Sequence, residues 1–224
     1  MRTLDWQTGD RAELQALIQQ LLTGGFWDYT DVTEWVTAWV DDSRKVDHDE
    51  ALALVQSMWT AQLARQAAWT DTGDFGRLQH TFAQLETEGV LARMCFSCCT
   101  TCATQEIDDE RNPNPDPADW YRFREWAYTY FHEQDAMRIG LDKQPLFLGF
   151  SAFRPHPALP DSLLRAAAGG DPDAAEEATD RTETMVGARI VQLAEHFGLR
   201  TDWSGSRHER IRVTVDQWRK PLPR

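Results

Sequence analysis

Four cysteines fall within eight residues. Cys95, Cys98, Cys99 and Cys102 spell C-x-x-C-C-x-x-C, and the chain has no other cysteine. Offsets of i, i+3, i+4 and i+7 would place all four thiols on one face of a helix. Geometry limits what that face could do. At a rise of about 1.5 Å per residue the outer two would stand roughly 10 Å apart along the axis, whereas the sulfurs around one tetrahedral zinc lie within about 4 Å of each other. One straight helix therefore cannot supply a four-thiolate site. A knuckle built on one C-x-x-C pair can supply two ligands, with others arriving from elsewhere in the fold. His132, in the string Phe131-His132-Glu133-Gln134-Asp135, is the best further ligand, because it ends a strand-like run and has acidic and amide neighbours able to orient its ring. The expected metal set is Cys98, Cys99, Cys102 and His132, with Cys95 as a substitute and zinc as the ion. Glu133 or Asp135 would stand behind the histidine, although Asp135 could equally cap a helix beginning at Ala136.

Two other readings stand beside the metal. In a redox reading, a C-x-x-C pair after a strand and at a helix start has its first thiol acidified by the backbone N–H groups there, making Cys99 the nucleophile and Cys102 its partner. The acids Glu106, Asp108, Asp109 and Glu110 work against that acidification unless they sit at the far end of the helix. Cys99, Cys102, His132 and Asp135 are the candidate catalytic residues on this reading. In a packing reading, reduced cysteines are small apolar residues filling a core. The spacing leaves all three open.

The elements that must position these residues follow from periodicity. Leu14, Leu17, Ile18, Leu21 and Leu22 predict a helix from Asp10 to Thr23, capped by Asp10 and stopped at Gly24-Gly25. Thr30 or Asp31 would cap a second helix carrying Val32, Trp35, Val36 and Trp39. Asp47 would cap a third carrying Leu52, Leu54, Val55, Trp59 and Leu63. A fourth is predicted from Asp74 to Glu88, ending at Gly89. Trp35, Trp39 and Trp59 fall at core spacing and read as packing residues. Beyond Gly89 the pattern changes to a strand over Val90 to Phe96, a short helix over Thr100 to Glu110, a proline-rich loop over Asn112 to Asp119, a helix around Trp120 to Trp126 and a strand over Ala127 to His132. Leu146 to Phe153 reads as a buried central strand. A helix from Thr182 to Phe197 then precedes strands Leu199 to Trp203 and Ile211 to Val215 joined through Ser204-Gly205-Ser206. The expectation is an α+β fold with a helical N-terminal region (1–89) packed on a mixed β-sheet domain with flanking helices (90–224), interrupted by a Pro/Ala/Gly-rich insertion near 154–181.

Composition sets outer bounds. With 224 residues, 42% hydrophobic and 26% charged, the chain can bury a core. No stretch approaches the roughly 18 apolar residues of a membrane span, and Met1 to Thr8 lack a basic start and an apolar region, so a cytoplasmic protein is expected. The net charge of -13 opposes binding to nucleic acid. Residues 200–224 are locally basic, with seven bases against three acids, and such a tail on an acidic body is expected to dock on the protein's own surface or to stay solvated rather than to bind nucleic acid. Over residues 1–89, acids exceed bases by 15 to 6, which admits an acidic protein-interaction module without chemistry, marked by exposure of Trp27, Trp35 or Trp39. Nucleotide-binding glycine loops, the P-loop, the G-x-S-x-G elbow and H-E-x-x-H are missing. No substrate or specific partner can be read.

The chain resembles, over most of its length, a large uncharacterised actinobacterial family, a domain of unknown function. The resemblance rests on Trp59 to Trp69 with Ala64-Arg65-Gln66, on Leu85 to Gly89, on Cys98-Cys99-Thr100-Thr101-Cys102, on Phe131 to Asp135, on Leu146 to Phe153, and on Trp203-Ser204-Gly205 with Ile211 and Trp218. The C-C-x-x-C and F-H-x-Q-D strings are its most specific parts. It implies no assigned activity, and it raises His132, Gln134 and Asp135 as site candidates beside the cysteines.

Overall fold

A computed structural model describes residues 8–43, 46–118, 120–139, 141 and 144–223. The start of the chain, Met1 to Gln7, and the loop end Asp119 lie outside the described residues. The elements run α1 (Thr8–Gly24), α2 (Tyr29–Ser43), α3 (His48–Ala67), α4 (Gly73–Thr87), β1 (Val90–Arg93), α5 (Thr100–Glu106) with a 3-10 turn over Ile107–Glu110, β2 (Ala127–Tyr130), α6 (Glu133–Arg138), β3 (Leu146–Ala152), α7 (Asp161–Ala168), α8 (Pro172–His196), β4 (Arg200–Asp202) and β5 (Ile211–Thr214). Helices and a mixed sheet make the chain α+β. No described helix is long and apolar enough to cross a membrane.

The chain gathers into two compact units, 1–76 with 136–144 and 215–224, and 77–135 with 145–214. In the first, α1, α2 and α3 bury Leu14, Ile18, Leu21, Leu22, Val32, Val36, Val55 and Trp59. Each such aliphatic side chain, fully buried, contributes about 1.5–3 kcal/mol. Asp47 caps α3 as predicted, its carboxylate accepting from the N–H groups of Asp49 and Glu50. Asp10 does not cap α1, which begins at Thr8. Nor do Thr30 or Asp31 start α2: Asp28 does, in a reciprocal pair where its Oδ1 accepts from Asp31 N–H (2.9 Å) and Asp31 Oδ2 accepts from Asp28 N–H (3.0 Å). Trp59 is 8% exposed, yet Trp35 is 40% exposed and does not pack as predicted. Trp27 is buried. The C-terminal segment is stitched to this unit: Trp218 Nε1–H donates to Gly24 O (3.0 Å), Leu222 N–H to Gln66 Oε1 (3.0 Å), and Lys220 Nζ to Gly25 O (2.6 Å).

The second unit holds a five-stranded sheet of order β1-β2-β3-β5-β4. β1 and β2 are parallel and the other pairs antiparallel, and β3 is central as its apolar run predicts. Alternation along the strands sends Ala127, Thr129, Leu146, Leu148, Ile211 and Val213 inward, all buried. α8 lies against β3, where the rings of Phe150 and Trp203 meet edge-on at 5.7 Å beside Gly187. α8 begins ten residues before the predicted start, at Pro172. Asp171 caps it through Asp173 and Ala174 N–H, and proline at the first turn needs no hydrogen bond there. Trp120 to Trp126 is not a helix. It runs extended, with Phe123 bridged to Pro113 and with Asn114 N–H and Arg124 N–H donating across the loop.

Candidate functional site

The cysteines occupy the passage from β1 to α5. The parallel pairing of β1 with β2 continues past both strand ends: Phe131 N–H donates to Arg93 O (3.2 Å), Phe96 N–H to Phe131 O (2.9 Å), and Glu133 N–H to Ser97 O (3.0 Å). The cysteine loop is thereby fastened beside the Phe131–Glu133 segment. Within it Cys95 (φ 51°) and Ser97 (φ 60°) both adopt the left-handed conformation. This costs a non-glycine residue about 1–2 kcal/mol. Such strain gathers where a local geometry is required. Past these two left-handed residues the chain brings Cys98 and Cys99 to the start of α5, and Cys102 follows one turn later. One ligand atom from each of Cys98, Cys99 and Cys102 lies within 4.8 Å of the others. Cys98 is exposed and the other two are half-buried.

The three thiols are not equivalent. Cys99 occupies the N-cap position of α5 in extended backbone (φ -156°), without a full cap hydrogen bond. The Cys102 N–H and then the Cys102 and Cys98 thiols lower its pKa from the usual thiol value, against an opposing effect of burial. Cys102 donates to Cys98 and Cys99, and those bonds, followed by the two neighbours' charge, push it up to about 11. One thiol is made more acidic while its partner holds its proton more tightly. The cluster can present soft, anionic sulfur to a metal, or a nucleophile with an adjacent thiol.

Beside this loop, His132 and Asp135 form a reciprocal box at the start of α6. Asp135 N–H donates to His132 Nδ1 (3.3 Å), and His132 N–H donates to Asp135 Oδ2 (3.3 Å). His132 Nε2 lies 3.1 Å from the same carboxylate oxygen. Both ring nitrogens therefore face Asp135. Arg210 completes the set from the chain after β4: its Nη1 donates to Asp135 Oδ1 (3.3 Å), and its Nη2 to Asp135 Oδ2 and to Phe147 O (2.5 Å). Arg210 Nε is buried without a hydrogen-bond partner among the described residues. Tyr130 is near enough to both groups to feel their charges. It is buried, pairs across the sheet with Gly149, and leaves so little room that a Cβ on Gly149 would sit 3.0 Å from its ring. Burial raises the Tyr130 hydroxyl pKa, with the charges of Tyr128, Asp135 and Cys99 adding to the rise and Arg210 opposing it.

A profile for a domain of unknown function (DUF6891) matches residues 7–222. The chain belongs to this family. Comparison with curated proteins and with solved structures gives no match. In this DUF6891 chain, three of the predicted site residues, Cys98, Cys99 and Cys102, come together. Cys95 lies in the same loop but outside that trio, and Gln134 is exposed. Asp135 does not precede its helix as an ordinary cap before Ala136. It sits in the first turn of α6 and reaches back to His132, so the F-H-x-Q-D string of the DUF6891 chain has a structural role in starting α6. Sequence reading missed Tyr130 and Arg210. Tyr128 and Tyr130 alternate on β2 and stack at 6.2 Å, a pattern visible as Y-x-Y just before Phe131-His132. Arg210 counted only as one of seven bases in the tail, because its partner lies 75 positions away.

Proposed function

We propose that this domain holds a thiolate-bound metal ion at Cys98, Cys99 and Cys102. The observation that supports it is the mutual approach of the three ligand atoms to within 4.8 Å on a loop bent by two left-handed residues. The donor set fits the group: three sulfurs, one already acidified, suit a soft or borderline ion such as zinc far better than magnesium or calcium. The fourth position falls to His132, if its ring leaves Asp135, or to solvent. With solvent there, the ion would supply Lewis acidity. With His132, it would serve to hold the loop. The test is elemental analysis of protein purified without chelator, followed by cobalt(II) titration read at the thiolate charge-transfer absorption. About one ion per chain, lost in C98S/C99S/C102S, is expected, and His132→Ala weakens binding only if His132 is a ligand. Metal-free protein that takes up no cobalt overturns the proposal.

The side-by-side thiols of Cys99 and Cys102 favour a second reading, a dithiol redox pair. There Cys99 thiolate attacks a disulfide-bearing acceptor, and Cys102, on losing its proton, displaces the mixed disulfide. Cys99–Cys102 disulfide is formed and the acceptor leaves as two thiols, two electrons having passed to it. Loss of two free thiols on incubation with oxidised glutathione, restored by dithiothreitol, would support this reading. Four thiols that stay reduced would end it.

A further inference from the structure

The number of donors around the cysteine trio restricts which element it can hold. Cys98, Cys99 and Cys102 form the group, and among the described residues no histidine or carboxylate joins them within 4.8 Å. Cys95 stands outside it. The acids that follow α5 are paired with arginines, Asp108 with Arg111 and Glu110 with Arg93. His132, the fourth ligand expected from the sequence, is turned to Asp135 through both ring nitrogens: Nδ1 accepts from the Asp135 N–H (3.3 Å) and Nε2 lies 3.1 Å from its carboxylate. That carboxylate is itself held by Arg210. Bringing the ring to the sulfurs would open the box that starts α6. The protein therefore supplies three sulfurs and keeps its nearest imidazole elsewhere.

Three sulfurs suit some elements better than others. Zinc is four-coordinate in closed sites, so here it would have to take a water or draw His132 away from Asp135. Arsenic(III) and antimony(III) carry a lone pair, complete their shells with three bonds and prefer soft sulfur to oxygen or nitrogen. Sulfurs bound to one ion lie within about 4 Å of each other. The trio comes within reach of that by side-chain rotation, since Cys98 is exposed and Cys99 and Cys102 are half-buried. Approach from solvent is open for the same reason. Arsenite in neutral water is the uncharged acid As(OH)3, so the net charge of -13 does not repel it as it would an anion.

We infer that Cys98, Cys99 and Cys102 form a three-coordinate site for a trivalent metalloid, arsenic(III) or antimony(III), in preference to zinc. This rests on the proposed thiolate site and names the element that fills it. Binding is a condensation: three As–O bonds break, three As–S bonds form, and each thiol proton leaves with one hydroxide as water. No electron is transferred, and no fourth ligand is required.

The reduced, metal-free full-length chain is titrated with sodium arsenite, read by the ultraviolet absorption of arsenic–thiolate bonds and by native mass spectrometry. One arsenic per chain is expected, with the loss of three hydrogens, and arsenite should displace cobalt(II) from loaded protein. Cys98→Ser, Cys99→Ser and Cys102→Ser, each with unchanged circular dichroism, should weaken arsenite binding at least tenfold. Cys95→Ser should change it less than twofold. A trio variant that binds arsenite as tightly as the parent would reduce the site to two thiols and overturn the inference. Bound cobalt that arsenite fails to displace would overturn it too, while leaving the metal site standing. Protein that takes up neither loses both. Arsenite uptake without cobalt uptake would uphold the three-coordinate site and end the zinc reading.

Discussion

Individual side chains already separate the thiols. A thiol reacts as its thiolate, so the depressed Cys99 is charged at a lower pH than an ordinary cysteine, and Cys102, at about 11, is ionised in only about one molecule in a thousand at pH 8. In metal-free protein, iodoacetamide at pH 7–8 should therefore modify Cys99 before Cys102, by peptide mass analysis. Raising the pH past 10 should bring Cys102 up. The reverse order would contradict the hydrogen bonding around α5. Asp135 gives a second prediction. Its side chain is fully buried against Arg210 and His132, and removing it strands a cation and opens the box that starts α6. Asp135→Ala should lower stability by about 3 kcal/mol, the low end for a broken buried pair because Arg210 keeps 30% exposure. Urea unfolding checks this, and Asp135→Ala with Arg210→Met should recover part of the loss.

Among the elements, caps account for boundaries that apolar spacing left loose. α8 shows why: Ala174 and Ala178 are buried, but the run Pro172 to Arg181 reads as alanine and acid, with too few large apolar residues to display a stripe. The deciding contact is the Asp171 carboxylate, which accepts from the N–H groups of Asp173 (3.0 Å) and Ala174 (3.1 Å). Asp171→Ala should cost about 1 kcal/mol, read as a shift of the urea midpoint at constant slope. Asp171→Asn should cost far less. α7 is the opposite case, clear in its amphipathic string and without a buried residue. Its amides should exchange with deuterium faster than those of α8 between Ala178 and Ala194, because little buried apolar contact resists its local opening. Equal protection would show that α7 opens only with the unit.

For the molecule as a whole, a bound ion would appear as stability. If the thiolate site closes the loop between β1 and α5, chelation should lower the thermal midpoint, by about 2–4 °C for each kcal/mol at this chain length. C98S/C99S/C102S should show the lower midpoint with or without chelator. An unchanged midpoint after complete metal removal would leave any ion without a structural role. The net charge of -13 predicts that binding to duplex DNA is undetectable at physiological salt, and the tail's bases support this, since Arg207, Arg210, Arg212 and Arg219 all pair with carboxylates of the chain. The α+β class, the central strand Leu146–Ala152, the first four helices and the cysteine cluster could all be read from periodicity and spacing, because those signals are local. Trp35 and Trp120 could not be placed, since burial depends on what covers a side chain and not on its type. The same holds for the site. Cysteine spacing marked a chemical centre, but only folding bent the loop at Cys95 and Ser97, excluded Cys95 from the trio, turned His132 to Asp135 and brought Arg210 and Tyr130 alongside. Arg210 and Asp135 stand 75 positions apart, and no pattern within a helix or strand records which distant residue will complete a charge or fill a gap.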